Sequence, residues 1–449
     1  MDKGEIKVNA HRSEGTYLRR ISGYLAVAAI VFSTAVFGAQ NSKSPIIQPS
    51  IIAYEARIPA IRSQIPAIVK SATFAAEHIM KYPDSLLNVP YWEQVSFSEE
   101  MINRSGGLAH AYPSDAPDRR ARVTDHDIVV LSVRSWQADA TMVKGRTEDF
   151  RRRGWKTILI ASKAGMPDGI IYDYFIDNGA PSGEAKYGAT NLLANVTIGW
   201  MWCCEYVSAM TRKGKIPGIL ISVALEGAEE YDRKIQTPEG RHWIGKCKTP
   251  IPAGKLAEIY LKRVEKLIAD MKSDRIQKQI AAASDIIAKR MAEGKRVGLS
   301  GVGHVILDEV HRDTKAPWVA FQAVGAVSVR HNGFMDYLKP GDLLVWIAYM
   351  GLDSKYTQFS KYIKEAGVDL ITSFAPDPDP EINKTGALAH IDQCWQKGDA
   401  EVPLPCEPWK MAPISGINAG LVLRMLDDEV SSRLMAIGEK TRVETSVAH

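Results

Sequence analysis

Two unbroken apolar runs, Ile128 to Ser132 after Asp127 and Leu343 to Ala348 after Asp342, stand out from a chain that otherwise alternates apolar and polar positions at helical spacing. Each run is followed by a polar helical stretch, a glycine and a second apolar run. Gly154 leads into one ending at Ser162, and Gly367 into one ending at Ser373. Asp and Gly are 27 positions apart in the first half and 25 in the second. Strand, crossover helix, strand forces parallel pairing with a right-handed crossover. Strands apolar on both faces need helices on both sides of the sheet. Farther on, Gly183-Glu184-Ala185 answers Gly398-Asp399-Ala400, each ahead of a helical pattern of about 20 residues opening near Thr190 or Ser415. The order of these pairings predicts a duplicated, doubly wound α/β chain.

The second half opens most plainly. Ile276 to Ala292 has the period of an amphipathic helix ending at Gly294, and Arg296 to Ser300 reads as a short buried strand. Gly301-Val302-Gly303-His304 then turns into a helix. Two glycines between a strand and a helix start let a ligand approach backbone N–H groups. The third glycine of the dinucleotide fingerprint is absent. Thr249 to Leu256, with two prolines and a glycine, marks the break between a first domain, 66–250, and a second, 255–440. Residues 40–65, polar and carrying Pro45, Pro49 and Pro59, read as a tether.

Residues 1–39 read as a leader. Arg19-Arg20 precede Gly23 to Gly38, an uncharged stretch shorter than the roughly 20 residues of a spanning helix, with small residues after it. This is the layout of a twin-arginine export signal, although Leu18 stands where Ser or Thr is usual. An uncleaved anchor is the alternative. Either reading puts the globular part in the periplasm or otherwise outside the cytoplasm.

Composition narrows the function classes. Of 449 residues, 45% are apolar and 24% charged, a globular balance, and the net charge of +4 holds no field for nucleic acid or an anionic membrane. Five cysteines do not make a disulfide scaffold. Adjacent Cys203 and Cys204 fit a buried helix; a Cys394–Cys406 bridge is allowed but not demanded. No C-x-x-C pair suggests zinc. His304, Asp308 and His311 share a helix face that could hold a metal, but a solvated polar face explains them more simply. No metal or cofactor is expected.

Ser300-Gly-Val-Gly-His304 with Asp308-Glu309, the segment near Tyr349-Met350-Gly351, Gly398-Asp399-Ala400 and the closing helix after Pro413 together resemble a sugar isomerase (SIS) domain. Glu99-Glu100-Met-Ile-Asn-Arg104-Ser-Gly106-Gly107-Leu108 and Ile176-Asp177-Asn178-Gly179 resemble the same class in the first half. The resemblance covers roughly residues 65 to 440. It implies two tandem three-layer α/β/α domains, each with a five-stranded parallel sheet. It also implies aldose–ketose isomerisation or non-catalytic sugar binding, and a homodimer. The family's Ser/Thr-rich phosphate loop is eroded. The second half reads Ala348-Tyr-Met-Gly351-Leu-Asp353-Ser354, and the first puts Arg134 between Ser132 and Ser135 and Trp136 where Gly is usual. An unphosphorylated sugar or sugar acid is therefore the expected ligand.

On this resemblance Glu309 would move the proton of an enediol mechanism, with Glu100 its counterpart in the first half. His304 would open the ring, and the N–H groups of Gly301 to Gly303 would hold oxyanions. Ser132, Ser135, Ser300, Asp353, Ser354 and Asn178 would contact hydroxyls. Each also has a plain structural reading: Glu309 and Glu100 as helix carboxylates, His304 as a turn cap, Asn178 as part of a tight turn.

Overall fold

The computed structural model describes residues 47–90, 95–102, 104–113, 123–181, 190–222, 225–236, 242–301, 319–320, 338–350, 354–375, 386–396 and 398–438. The predicted leader lies outside them.

The first sheet contains β1 (Leu87–Asn88), β2 (Ala111–Tyr112), β3 (Ile128–Ser132), β4 (Lys156–Ala161) and β5 (Tyr174–Asp177), in the order β2-β1-β3-β4-β5. A small antiparallel pair, β6 (Lys215–Ile216) and β7 (Gly245–Lys246), follows. The second sheet contains β8 (Val297–Gly301), β9 (Val319–Ala320), β10 (Leu343–Met350), β11 (Asp369–Ala375) and β12 (Ala389–Asp392), in the order β12-β11-β10-β8-β9. Every pairing in both five-stranded sheets is parallel. Counted from its own first strand, each sheet has the order 2-1-3-4-5. The predicted duplication is thus a duplication of topology. A second antiparallel pair, β13 (Val402–Pro403) and β14 (Lys410–Met411), precedes the closing helix.

The repeated Asp-to-Gly spacing has a physical basis. Before β3, Asp127 Oδ1 accepts the backbone N–H of Leu86 at 2.9 Å; before β10, Asp342 Oδ1 accepts that of Arg296 at 3.0 Å. Each aspartate thereby holds the start of the first strand of its sheet against the start of the third. Each also accepts at its own carbonyl, from Lys156 and Asp369 respectively, both at 2.9 Å. Gly154 and Gly367 close the two crossovers at φ +82° and +69°, a region that side chains disfavour. A Cβ at Gly154 would lie 2.7 Å from the Asp125 carbonyl oxygen. The spacing therefore measures one strand–helix–strand unit from its entry clamp to its exit turn.

Among the described residues the helices are α1 (Pro49–Glu55), α2 (Ile58–Ser63), α3 (Ile65–Lys81), α4 (Val95–Met101), α5 (Trp136–Arg152), α6 (Asn191–Arg212), α7 (Ala228–Ile235), α8 (Lys255–Met271), α9 (Asp274–Ala292), then Ser354–Glu365 and the closing helix Ser415–Ala436. In its described part, 47–65, the segment read as a tether forms two helices instead. Pro49 and Pro59 sit in their first turns, where proline costs no hydrogen bond. Ile51, Tyr54, Ile58 and Ile61 are buried, and the Tyr54 hydroxyl meets Thr197 Oγ1 at 2.6 Å. The prolines suggested a linker, and the isoleucine spacing was the truer signal.

All described residues lie in one compact unit, Pro45–His449. One apolar core runs through both halves. Its axis is α6, in which every residue from Asn191 to Thr211 is buried. It packs on α3, α4, α8 and the closing helix. A helix apolar all round belongs in an interior. Its counterpart, the closing helix, packs on α9 as α6 packs on α3. Cys203 and Cys204 are buried in α6, as expected. The suggested Cys394–Cys406 bridge is not formed. Cys406, between β13 and β14, is bonded to Cys247 with Cα atoms 5.6 Å apart, and Cys394 is free. Among the described residues no helix is long and apolar enough to cross a membrane.

Candidate functional site

In a sheet of order 2-1-3-4-5 the strand order reverses between the first and third strands, and ligands lie outside the carboxyl ends near that switch. In the first half β3 ends at Ser132, the chain turns through Val133 to Ser135, and α5 starts at Trp136. A hollow of about 530 Å³ lies there, bounded by the loops after β3, β4 and β5 and by the first residue of α6. Its polar lining comes from Arg134, Ser135, Trp136, Gln137, Ser162 and Asn191. That volume suits a small organic ligand.

The loops around the hollow are held by specific bonds. The Trp136 indole N–H donates to the Ser162 carbonyl at 2.6 Å, joining the loops after β3 and β4. Ser162 Oγ donates to the Ala180 carbonyl at 2.9 Å, reaching the loop after β5. Asn191 donates to the Arg134 carbonyl at 2.8 Å and accepts from Arg57 Nη1 at 2.6 Å. Ser135 N–H donates to Asp139 Oδ2 at 3.3 Å, so an acid in the first turn caps α5.

Of the ligand-contacting residues expected from the sequence in this half, Ser135 alone lines the hollow. Ser132 is buried in β3 at 2% exposure. Asn178 is fully buried. Its Nδ2 donates to Asn195 Oδ1 at 2.9 Å, and its Oδ1 accepts from Ala180 N–H at 2.9 Å. Asn195 in turn donates to the Val133 carbonyl at 3.0 Å. Asn178 is thus a clip joining three parts of the hollow's wall, and the turn reading is the better one. Gln393 performs the same task after β12, donating to the Ala348 and Ser373 carbonyls, both at 3.0 Å. Ser162 and Asn191 were missed. The only signal was position: one just past a strand end, one at a helix start.

Glu100 stands elsewhere, in the joint between the halves. Its carboxylate accepts from the Trp200 indole at 3.2 Å and pairs with Arg104 Nε at 3.0 Å. Arg104 Nη2 continues to Ser415 Oγ at 2.6 Å and Asp399 Oδ2 at 3.4 Å. Asp399 Oδ1 accepts from the N–H groups of Ile414 and Ser415, capping the closing helix. One guanidinium thus serves two carboxylates, all three nearly inaccessible to water. Burial pushes the Glu100 carboxyl up to about 7, against the pull of Arg104. Burial likewise pushes Asp399 up to about 6. Gly416 faces Glu100 so closely that any Cβ there would collide with its carboxyl. Gly106 (φ +83°) accepts from Ala412 N–H at 2.8 Å and donates to the Leu220 carbonyl at 2.6 Å. The E-x-x-x-R-x-G-G stretch is therefore a seam. Glu100, expected as a counterpart of Glu309, is sealed from any substrate by its own partners.

In the second half β8 carries Ser300 and ends at Gly301, which lies opposite Ile347 of β10. The backbone of both is at the switch point of that sheet. Gly303, His304, Glu309 and Asp353 lie outside the described residues, as does the side chain of Ser354, the first residue of its helix. The His304, Asp308 and His311 face is also outside them.

No protein-family model matches the sequence, and no curated protein matches it. Solved structures similar to this fold include the C-terminal domain of glucosamine-fructose-6-phosphate aminotransferase from Francisella tularensis. It is 11% identical over 86% of this chain and 95% of that one, with a TM-score of 0.49. A protein from Salmonella typhimurium LT2 described as sugar-binding is 10% identical over 85% and 98%, TM-score 0.47. One from Silicibacter pomeroyi DSS-3 described as a phosphosugar isomerase is 12% identical over 88% and 100%, TM-score 0.46. The fold assignment rests on the strand order itself.

Proposed function

We propose that this chain is an exported carbohydrate-binding protein of the SIS type, with the hollow at the strand ends of the first half as its ligand site. The observation that carries this reading is the lining. It offers hydroxyls, amides and an indole, groups that hold a sugar. None of its described members is a carboxylate, imidazole or amine able to move a proton between carbons. Binding is therefore better supported there than enediol chemistry. Thermal unfolding with a panel of monosaccharides tests it. A saturable rise in Tm, lost in Trp136→Ala, supports the site; no rise with any sugar refutes it.

A second reading, an aldose–ketose isomerase acting through an enediol, is favoured by one observation in the other half. There β8 brings Gly301 to the switch point beside β10, where backbone N–H groups can meet an oxyanion. Glu309 would then move the proton and His304 would open the ring. Solvent deuterium appearing at a sugar carbon, and lost in Glu309→Gln, requires this reading. Sugar binding without exchange leaves the first.

Export is part of the proposal. It draws support from the Cys247–Cys406 bond, which suits an oxidising compartment. Cell fractionation of the full chain, with Arg19-Arg20 replaced by two lysines, tests it. We also propose a homodimer, which light scattering on the purified protein tests.

A further inference from the structure

Several polar groups that line the hollow are already committed to holding its loops. Ser162 Oγ donates to the Ala180 carbonyl, Asn191 donates to the Arg134 carbonyl and accepts from Arg57, and the Ser135 N–H is taken by Asp139. Much of the remaining lining is hydrocarbon, from Ala140, Ala164, Pro167, Ala180 and Pro181. We infer that the ligand is a closed pyranose ring laid with a C–H face on the indole of Trp136, and not an open-chain sugar. The inference rests on the carbohydrate reading and deepens it.

The way Trp136 is fixed supports a stacked ring. An indole has one polar group, its N–H. Here that N–H donates to the Ser162 carbonyl at 2.6 Å, so what the side chain offers the hollow is carbon surface. The ring also packs on the apolar cluster that contains Val129 and Leu131 of β3. Ala140, one turn further along α5 on the same helix face, continues the hydrocarbon wall. An aromatic surface held in place by a hydrogen bond and by packing binds a ligand at little cost in side-chain freedom.

A pyranose has the matching shape. It carries C–H bonds on its faces and hydroxyls around its edge. An indole can cover one face while the hydroxyls are left to side chains such as Ser135 and Gln137, which flank Trp136 in the chain and also line the hollow. Covering that face removes apolar surface from water, and the positively polarised C–H bonds meet the negative face of the aromatic ring. An open chain has no fixed face and must give up several bond rotations to make one.

The experiment is titration calorimetry on the whole protein with D-glucose, D-galactose, D-mannose and sorbitol, the open-chain counterpart of glucose. At least one hexose should bind about ten-fold or more tightly than sorbitol. Trp136→Phe keeps an aromatic ring and loses the N–H, and should hold that hexose within about three-fold of wild type, whereas Trp136→Leu should lose about ten-fold or more. The same hexose should change tryptophan emission in wild type and not in Trp136→Phe. Unfolding temperatures without sugar show whether each variant is folded; should Trp136→Leu not fold, the sorbitol comparison and the emission change decide. Equal losses in the two variants would overturn the inference, since Trp136 would then act through its N–H alone. Sorbitol binding as tightly as every hexose, or full affinity in Trp136→Leu, would also overturn it and leave the carbohydrate reading standing. Failure of every probe would remove the carbohydrate reading itself, and this inference with it.

Discussion

The joint around Arg104 predicts an unusual dependence of stability on pH. Glu100 and Asp399 are both held in the interior by one guanidinium, so the ionised carboxyls are under-compensated. Glu100 moves from its ordinary 4.5 to about 7. Below pH 4.5 it is protonated whether the chain is folded or not, and it contributes no pH dependence. Between about 4.5 and 7 the unfolded chain releases this proton while the folded chain keeps it, so stability falls as pH rises. Above 7 the loss is complete, about 3 kcal/mol. Asp399 acts in the same direction over roughly pH 4 to 6. Glu100→Gln imitates the protonated acid, keeping an acceptor for Trp200 and Arg104 without the buried charge. Its stability relative to wild type should therefore rise by about 3 kcal/mol between pH 4 and pH 8. The difference between variant and wild type cancels the titrating groups that do not interact with Glu100, which leaves Glu100 and its neighbour Asp399. Urea unfolding at half-unit pH intervals, followed by tryptophan fluorescence, measures it. Parallel profiles for the two proteins, or a variant that loses ground above pH 6, would refute the reasoning.

Further perturbations test the frame around the hollow. Asn178→Ala should cost about 1–3 kcal/mol, because it removes buried hydrogen bonds to Asn195 Oδ1 and from the Ala180 N–H; chemical denaturation reads the loss. Gly154→Ala should destabilise by at least about 1 kcal/mol, with its Cβ forced toward the Asp125 carbonyl at a positive φ. Gly145→Ala, in the open middle of α5, should stabilise by about 0.5–1 kcal/mol in the same assay. Reduction of Cys247–Cys406, which spans 159 positions, should lower Tm, and Cys394→Ser should not reproduce that effect.

The fold was legible because parallel sheets write themselves into sequence as unbroken apolar runs at fixed spacing. Asp127 with Gly154 and Asp342 with Gly367 mark the two ends of one mechanical unit used twice. Less legible was everything that depends on who meets whom across long separations. Glu100 reads like any helix carboxylate until Asp399, nearly 300 positions later, is brought to the same arginine. The Cys247–Cys406 bond is of the same kind, and nearness in sequence pointed to Cys394 instead. In the hollow, Ser135 was visible because hydroxyls at strand ends are expected. Asn191 was not, since an asparagine opening a helix is ordinarily a cap.

The seam also constrains where chemistry can occur. A general base needs a reachable carboxyl that changes its proton during turnover. Glu100 has a carboxyl raised to about 7, which by value alone would suit such a role. Its geometry denies it, because Trp200, Arg104 and Gly416 enclose the group at the joint between the two halves. A shifted carboxyl is thus a product of burial at a joint here. If the chain does move protons on a sugar, no described residue lining the hollow supplies the group, and Glu309, expected beyond the end of β8, is the candidate to test. Glu309→Gln should then abolish any exchange while sparing sugar affinity. Loss of affinity together with exchange in that variant would mean that Glu309 belongs to the binding site itself.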